Sequence, residues 1–345
     1  MEDQAVGAPD TAIEAFAFSG NTSEYFRIWI VSLCLTIVTL GIYSPWAKVR
    51  KRRYLYRSTT LAGAGFDYHA DPMVILRGRL IAITVLGLYV FGTALAPGVE
   101  LSVVVVVMIV APWLIVRARM FNARYTSYRN LRFRFDPVYG EAYKVIVGFG
   151  LLTAVTLGLA YPYARYRRSK LLIDHAHFGS LQFQLSDVYR AYFSTYTKAS
   201  LLVLAALATL GFSMAMLPRT PDGAVNPASA VLAIVPVAFI VLIYSYLGPA
   251  IAKLTVGNVS VGPHRIICNW NVPRIMFIYF TNFAAVALTL GLAIPWATIR
   301  LQRYQYENLA LEVHGDLDEI VATQADEVSA MGEELGDAFD IDLGL

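Results

Sequence analysis

The chain predicts an all-α polytopic membrane protein with internal repeats, and three observations predict it. Of its 345 residues, 57% are hydrophobic and 15% charged, against about a quarter charged in an ordinary soluble domain. Apolar stretches near 26–45, 76–96, 100–116, 143–162, 199–217, 231–252 and 275–297 approach the roughly 20 residues that a bilayer core requires. One motif also occurs three times: "TLGIYSPWAKVRKRRY" from Thr39, "TLGLAYPYARYRRSK" from Thr156 and "TLGLAIPWATIRLQRY" from Thr289.

The copies align without gaps, pairing Gly41, Gly158 and Gly291, then Pro45, Pro162 and Pro295, then Arg50, Arg167 and Arg300, and finally Arg53, Lys170 and Arg303. Self-similarity of this kind defines the organisation of a chain before any single element does. It divides the sequence into an amino-terminal tail (1–15), unit one (16–132), unit two (133–265), a partial third unit (266–315) and an acidic tail (316–345). Each unit begins with an aromatic, alternating piece such as "FAFSG" or "FRFDP". Further short β-like pieces, "TTLAGAGFDYH", "SLQFQL", "NVSVGPHRII" and "NLALEVHG", lie in the connectors.

Charge is distributed unevenly. All 28 Lys and Arg lie at or before Arg303, with 13 of the 25 acidic residues, and the other 12 acids lie beyond it. The tail carries too few large apolar residues for a core of its own and is expected to be solvated or docked on a basic partner. The acidic amino terminus lacks the basic n-region of a cleavable signal, so the first apolar segment is expected to persist in the mature chain. Cys34 and Cys268 fit neither a disulfide framework nor a zinc site.

At each junction, a helix continuing through Pro45 loses the N–H that would serve the carbonyl of Gly41, four residues earlier. Gly41, Pro45, Gly158, Pro162, Gly291 and Pro295 are therefore the expected hinge or break points, with Thr39, Thr156 and Thr289 placed to re-satisfy freed backbone groups. An aromatic residue suited to headgroup depth follows: Trp46, Tyr163 or Trp296. Arg50, Arg53 and Arg57 then fall on one helical face, matched by Arg167 and Lys170 and by Arg300 and Arg303. In the third copy Glu307 replaces the last arginine. Such a face meets anionic headgroups at about 1 kcal/mol per cation, and it also serves as a plain topology signal. The residues leave both roles open.

Topology is open as well. If all seven segments cross, 18 cations fall on one side and 10 on the other; if segments 1, 4 and 7 enter and return, the division is 27 to 1. The first arrangement, with an odd number of crossings per unit, is that of a transporter with inverted repeats. The second gathers every β-like piece on one side, where they are able to pair into a small sheet.

The run "EYFRIWIVSLCLTIVTLGIYSPWAKVRKRRYLYRSTTLAGAGFDYHADPMVILRGRLIA" resembles the YjgN-like family of bacterial inner-membrane proteins, and the likeness extends to about residue 315. The resemblance implies a multi-pass protein of the bacterial cytoplasmic membrane and brings no catalytic residues with it.

Chemistry is sparse. Walker, H-E-x-x-H and G-x-S-x-G patterns are missing from the sequence. His69 with Asp71, and His175 and His177 with Asp174, do not recur between units and read as connector histidines; Ser44 is replaced by Tyr161 and Ile294. Ionisable residues stay at segment ends (Glu24, Arg27, Arg77, Arg79, Lys144, Lys198), unlike the coupling residues of pumps. Thr281, Asn282, Tyr244, Ser245 and Tyr246 either line a polar path or bond helices together. "RARMFNARYTSYRNLRFRF" interleaves arginine and aromatics, which beside a spanning helix reads as interface anchoring rather than nucleic-acid binding. The expected protein is non-enzymatic and takes no cofactor or metal. Its expected partners are anionic phospholipid headgroups, a lipid-like solute, a further copy of the chain and a basic partner of the tail. A small-solute transporter or channel is the alternative.

Overall fold

The computed structural model describes residues 11–95, 99–216, 227–315 and 321. Strand β1 (Thr11–Phe18) leads into α1 (Thr22–Val38) and α2 (Ser44–Arg57). Strands β2 (Thr59–Leu61) and β3 (Ala64–Tyr68) precede α3 (Pro72–Leu95) and α4 (Val99–Arg124). After β4 (Thr126–Tyr128) and β5 (Leu131–Phe135) come α5 (Tyr139–Tyr143), a π-helical turn (Lys144–Gly148), α6 (Phe149–Val155) and α7 (Tyr161–Asp174). Strands β6 (Ala176–Phe178) and β7 (Leu181–Leu185) lead to α8 (Tyr189–Met216) and α9 (Pro227–Val256). The chain then forms β8 (Val259–Val261), β9 (His264–Cys268), α10 (Val272–Leu288), α11 (Ile294–Glu307) and β10 (Leu309–His314).

The ten strands form one closed antiparallel barrel in the order β1-β10-β9-β8-β7-β6-β5-β4-β3-β2. The expectation of an all-α protein is thereby corrected. The pieces assigned to connectors pair with one another, because a strand of three to five residues satisfies its backbone only beside a neighbour. Closure joins Thr11–Ala15 to Ala310–His314, at opposite ends of the chain. The count of four to seven spanning segments is corrected with it. Among the described residues three stretches are long and apolar enough to cross a membrane: Val105–Arg124, Tyr189–Phe212 and Ala238–Val256.

The two rims of the barrel differ. On one, two-residue turns join β2 to β3, β4 to β5, β6 to β7 and β8 to β9. Ala62–Gly63 and Arg129–Asn130 have positive φ at both positions, whereas the other two turns have it only at Gly179 and Gly262; these are the I′ and II′ geometries that suit the twist of a hairpin. On the other rim, every helical excursion returns beside its point of departure. The same backbone clasp closes five excursions at 2.8–3.0 Å: Ser19 N–H to Ser58 O, His69 to Tyr125, Asp136 to His175, Ser186 to Asn258 and Asn269 to Asn308.

Segments 1, 4 and 7 are accordingly not single helices. Each ends in a Schellman turn, in which the Gly41 N–H donates to Thr36 O at 2.7 Å and the Leu40 N–H to Ile37 O at 3.0 Å. The bonds recur from Gly158 to Thr153 and from Gly291 to Val286, both at 2.8 Å. Leu40, Leu157 and Leu290 occupy the left-handed region at φ 49–50°, followed by glycines at 92–94°. Pro45, Pro162 and Pro295 sit in the first turn of the returning helices α2, α7 and α11, where a missing N–H has no helical partner to lose. The Gly41 carbonyl that Pro45 does not serve accepts from Ser44 N–H at 3.1 Å. Thr39, Thr156 and Thr289 staple each turn. The Thr39 hydroxyl donates to Leu35 O at 2.7 Å and accepts from Tyr43 N–H at 3.0 Å, and the other two threonines make the corresponding pairs of bonds.

Two of the short hairpins end well short of the long helices beside them. Arg79 of α3 donates to Ser44 Oγ at the first tip, and α3 continues 16 residues to Leu95, about 24 Å. Tyr161 at the second tip packs edge-on against Tyr196 at 5.4 Å, and α8 continues 20 residues to Met216, about 30 Å and the thickness of a hydrocarbon core. Apolar residues cap the tips: Leu40, Leu157 and Leu290 are 93–96% exposed.

Candidate functional site

Inside the barrel lies a cavity of about 490 Å³, within the roughly 300–1,000 Å³ of small-molecule sites. Its wall is a continuous collar of rings. Tyr306 meets Phe16 at 6.4 Å, Phe16 meets Phe66 at 6.3 Å and Phe66 meets Tyr128 at 4.7 Å. Tyr128 meets Phe178 at 5.9 Å, Phe178 meets Phe133 at 5.1 Å and Phe133 meets Phe183 at 6.2 Å. The side chains alternate along short strands, so each strand gives the lumen one or two residues, except β5, which contributes Phe133, Arg134 and Phe135. Burial pushes the Tyr306 and Tyr128 phenols up from their ordinary range, leaving them neutral.

At the turn-side rim, Val321 packs among Leu61, Tyr128, Leu131 and Phe178 and is 8% exposed. At the helix-side rim the lining changes to Tyr56 of α2, Arg119, Asn122 and Ala123 of α4, and Leu172 of α7. Arg119 lies within Coulomb range of Arg168, Arg165 and Arg52. Arg52 donates to Asn122 Oδ1 at 2.5 Å and stacks over Tyr68 at 5.5 Å. Burial, then the charges of Arg52 and Arg79, hold the Lys48 ammonium below its ordinary value. Among the described residues, the ion pairs to carboxylates involve Arg57, Arg134, Arg167, Lys170, His175 and His177. The cluster of Arg52, Arg119, Arg165 and Arg168 takes no part in them.

The cations singled out by the repeat mostly face the protein. Arg53 Nε donates to Tyr68 O at 3.1 Å, Lys170 Nζ to Leu185 O at 2.8 Å and an Arg303 nitrogen to Gly20 O at 3.0 Å. Each bond fastens a returning helix to the carbonyl at or just beyond the end of a strand. Arg57 forms a two-bond pair with Asp67 at 2.8 and 3.1 Å, and that bonding holds the Asp67 carboxyl below the usual range. Arg167 reaches Glu141 at 3.6 Å. Arg300 donates to Thr281 Oγ1 at 2.7 Å and Asn282 Oδ1 at 3.0 Å while stacking on Trp296 at 5.0 Å. Asn282 also donates to Ala297 O at 3.0 Å, so this polar pair bonds α10 to α11. Arg50 is exposed; Trp46 stacks on Tyr43 at 6.0 Å, and Tyr163 packs edge-on against Phe149 at 5.2 Å.

The connector histidines also sit in local pairs: His69 with Ser127 at 2.9 Å, His175 with Glu141 at 3.4 Å and His177 with Asp136 at 3.7 Å. Among the described residues no three His, Cys, Asp or Glu side chains gather as a metal cluster would. Burial raises the Cys268 thiol, which keeps it protonated. Tyr244 is 81% exposed and Ser245 bonds within its own helix at 2.8 Å. Apart from Val321, the acidic tail beyond Gly315 lies outside the described residues, as does its docking on a basic partner.

A family model described as "Bacterial protein of unknown function (DUF898)" matches residues 13–338. The chain belongs to this DUF898 family. Its relatives include "Inner membrane protein YjgN" of Salmonella typhimurium, 24% identical over 374 residues covering 93% of each chain. Proteins of the same name from Escherichia coli O157:H7 and K12 are 25% and 26% identical, each covering 46% of this chain and 40% of theirs. No solved structure matches. This DUF898 member is thus an inner-membrane protein, in line with the resemblance and location expected from the sequence, and its relatives' names assign no activity.

The lumen and the arginine cluster escaped sequence reading. The aromatic alternation in "FAFSG" and "FRFDP" was the available signal for the first. The second draws on three helices spread over more than a hundred residues of chain, and no local spacing reveals it.

Proposed function

We propose that this DUF898 protein is a non-enzymatic, multi-pass inner-membrane protein that engages anionic phospholipid at one membrane interface. One observation carries the reading: Arg119, at the helix-side mouth of the lumen, lies within Coulomb range of Arg168, Arg165 and Arg52, and among the described residues none of the four joins an ion pair to a carboxylate. The apolar stretches of α4, α8 and α9 cross the bilayer, while the apolar tips of the three short hairpins dip into its near leaflet, to the depth of about 5–10 Å typical of interfacial helices. Trp46, Tyr163 and Trp296 flank those tips at headgroup depth, with Arg50 exposed alongside. Placing the barrel in the cytoplasm gathers nearly all cations on the inner side. The inverted-repeat transporter needs "YARYRRSK" on the side opposite its twin "WAKVRKRRY". The shared rim disfavours it.

The test is the selectivity of protein-associated lipid in reconstituted bilayers, read from spin-labelled phosphatidylglycerol and phosphatidylcholine. The expected result is a preference for phosphatidylglycerol that falls with added salt and in Arg119→Gln/Arg165→Gln/Arg168→Gln. Equal association of the two lipids with the wild-type protein overturns the proposal.

A further inference from the structure

We propose that the barrel lumen is a binding site for a single acyl chain of an anionic amphiphile, whose phosphate or carboxylate rests against Arg119, Arg165, Arg168 and Arg52. The inference deepens the lipid reading above and rests on it for the source of the ligand.

Four features of the lumen support it. The cavity measures about 490 Å³ and is walled mostly by rings and aliphatic side chains, with Thr59, Thr126, Arg134 and His264 among them, and has room for a flexible hydrocarbon. Barrels of eight strands already hold one small ligand in this manner. Val321 packs against Leu61, Tyr128, Leu131 and Phe178 at the turn-side rim. The ligand therefore passes through the other rim, which faces the bilayer.

There the lining turns from Phe and Leu to Arg119 and Asn122 within one side of the cavity. Arg119 is exposed beside Arg168, also exposed, and near half-buried Arg165 and Arg52. An apolar bore ending in converging guanidinium groups matches a molecule with a hydrocarbon tail and an anionic head. Guanidinium geometry suits phosphate and carboxylate alike, so a fatty acid and a phospholipid share the required chemistry. A neutral oil leaves the arginines unanswered, and a free phosphate leaves the lumen unfilled.

The experiment uses the full chain in a neutral detergent, with oleate, lysophosphatidylglycerol and lysophosphatidylcholine as probes, and native mass spectrometry to count bound molecules. One anionic probe per chain is expected, binding at least tenfold more tightly than lysophosphatidylcholine. The mass of any co-purified adduct distinguishes a fatty acid from a phospholipid. Ala123→Trp, which narrows the bore, is expected to weaken both anionic probes at least tenfold, with Ala123→Leu as the milder variant if the tryptophan protein does not fold. Arg119→Gln/Arg168→Gln is expected to abolish the preference for anionic over zwitterionic head while leaving chain-length dependence. Equal binding of all three probes, unsaturable binding, or full binding by a folded Ala123 variant overturns the proposal. No bilayer is present in this assay, so its failure is distinct from loss of the phosphatidylglycerol preference in reconstituted membranes.

Discussion

Replacing Gly41, Gly158 and Gly291 by alanine separates a left-handed turn from a bent helix by the sign of the effect. In a continuous helix, Gly→Ala is stabilising by about 1 kcal/mol per site. At φ 92–94° the same change forces an L-residue into left-handed backbone, at a cost of about 1–2 kcal/mol. The lower entropy of the unfolded alanine chain offsets about 0.4–1 kcal/mol of that. Steric collision adds nothing: an added Cβ meets no atom within 4 Å at Gly41 or Gly158, and at Gly291 only Ile294 Cδ1 at an ordinary 3.7 Å. Because the sites share no close contacts, their effects add. The triple variant is thus expected to lose about 2 kcal/mol, each single variant about a third of that. Reversible unfolding in mixed micelles, followed by tryptophan fluorescence, supplies the measurement, with Gly→Asn as the control that tolerates left-handed backbone better. A triple alanine variant at or above wild-type stability refutes the turn.

Other consequences follow from particular contacts. Lys170→Gln strips the ammonium from Leu185 O, on a residue only 1% exposed, and is expected to cost about 1–3 kcal/mol, whereas Arg57→Gln breaks a largely exposed pair and costs about 0–1 kcal/mol; both are read by the same unfolding assay. Burial, then nearby His314, holds the His264 imidazole below its ordinary 6.5, so the unfolded chain takes up the proton first as pH falls. Stability is therefore expected to be full above pH 6.5 and to decline as pH falls below that, and His264→Gln is expected to flatten that slope. Single cysteines at Ser180 on the turn-side rim and at Leu157 on a tip report on placement, in a Cys34→Ser/Cys268→Ser background. Membrane-impermeant maleimide applied to inside-out vesicles is expected to label the first and spare the second; labelling of Ser180 only from the periplasmic side contradicts a cytoplasmic barrel.

The parts legible in the sequence were those with local causes. Long apolar runs announce helices, and the Thr-Leu-Gly and Pro spacing announces a break, because capping is decided within a few residues. The barrel has no such local cause. Strand β2 consists of Thr59–Leu61 alone, and its neighbours in the sheet are β1 and β3, one of them beyond a helical hairpin. Dipeptides such as Arg129–Asn130 and Gly179–Ser180 do mark turns, yet the strands they join suggest at most a small sheet among the connectors, since nothing local announces closure between the chain's two ends. The cationic face was legible as a spacing but not as a direction: Arg53, Lys170 and Arg303 turn toward strand carbonyls. The arginine cluster, outside the ion pairs to carboxylates among the described residues, is assembled from α2, α4 and α7 by barrel closure, and only the fold brings it together.

The most direct test of the account is to find where a lipid tail lies. Phosphatidylglycerol carrying a photoactivatable diazirine near the end of one acyl chain is incorporated with the protein, illuminated, and its adducts mapped by peptide mass spectrometry. The account predicts adducts on lumen residues such as Phe66, Phe133 and Phe183, lost in Ala123→Trp. Adducts confined to the outer faces of α4, α8 and α9, and unchanged in that variant, contradict it.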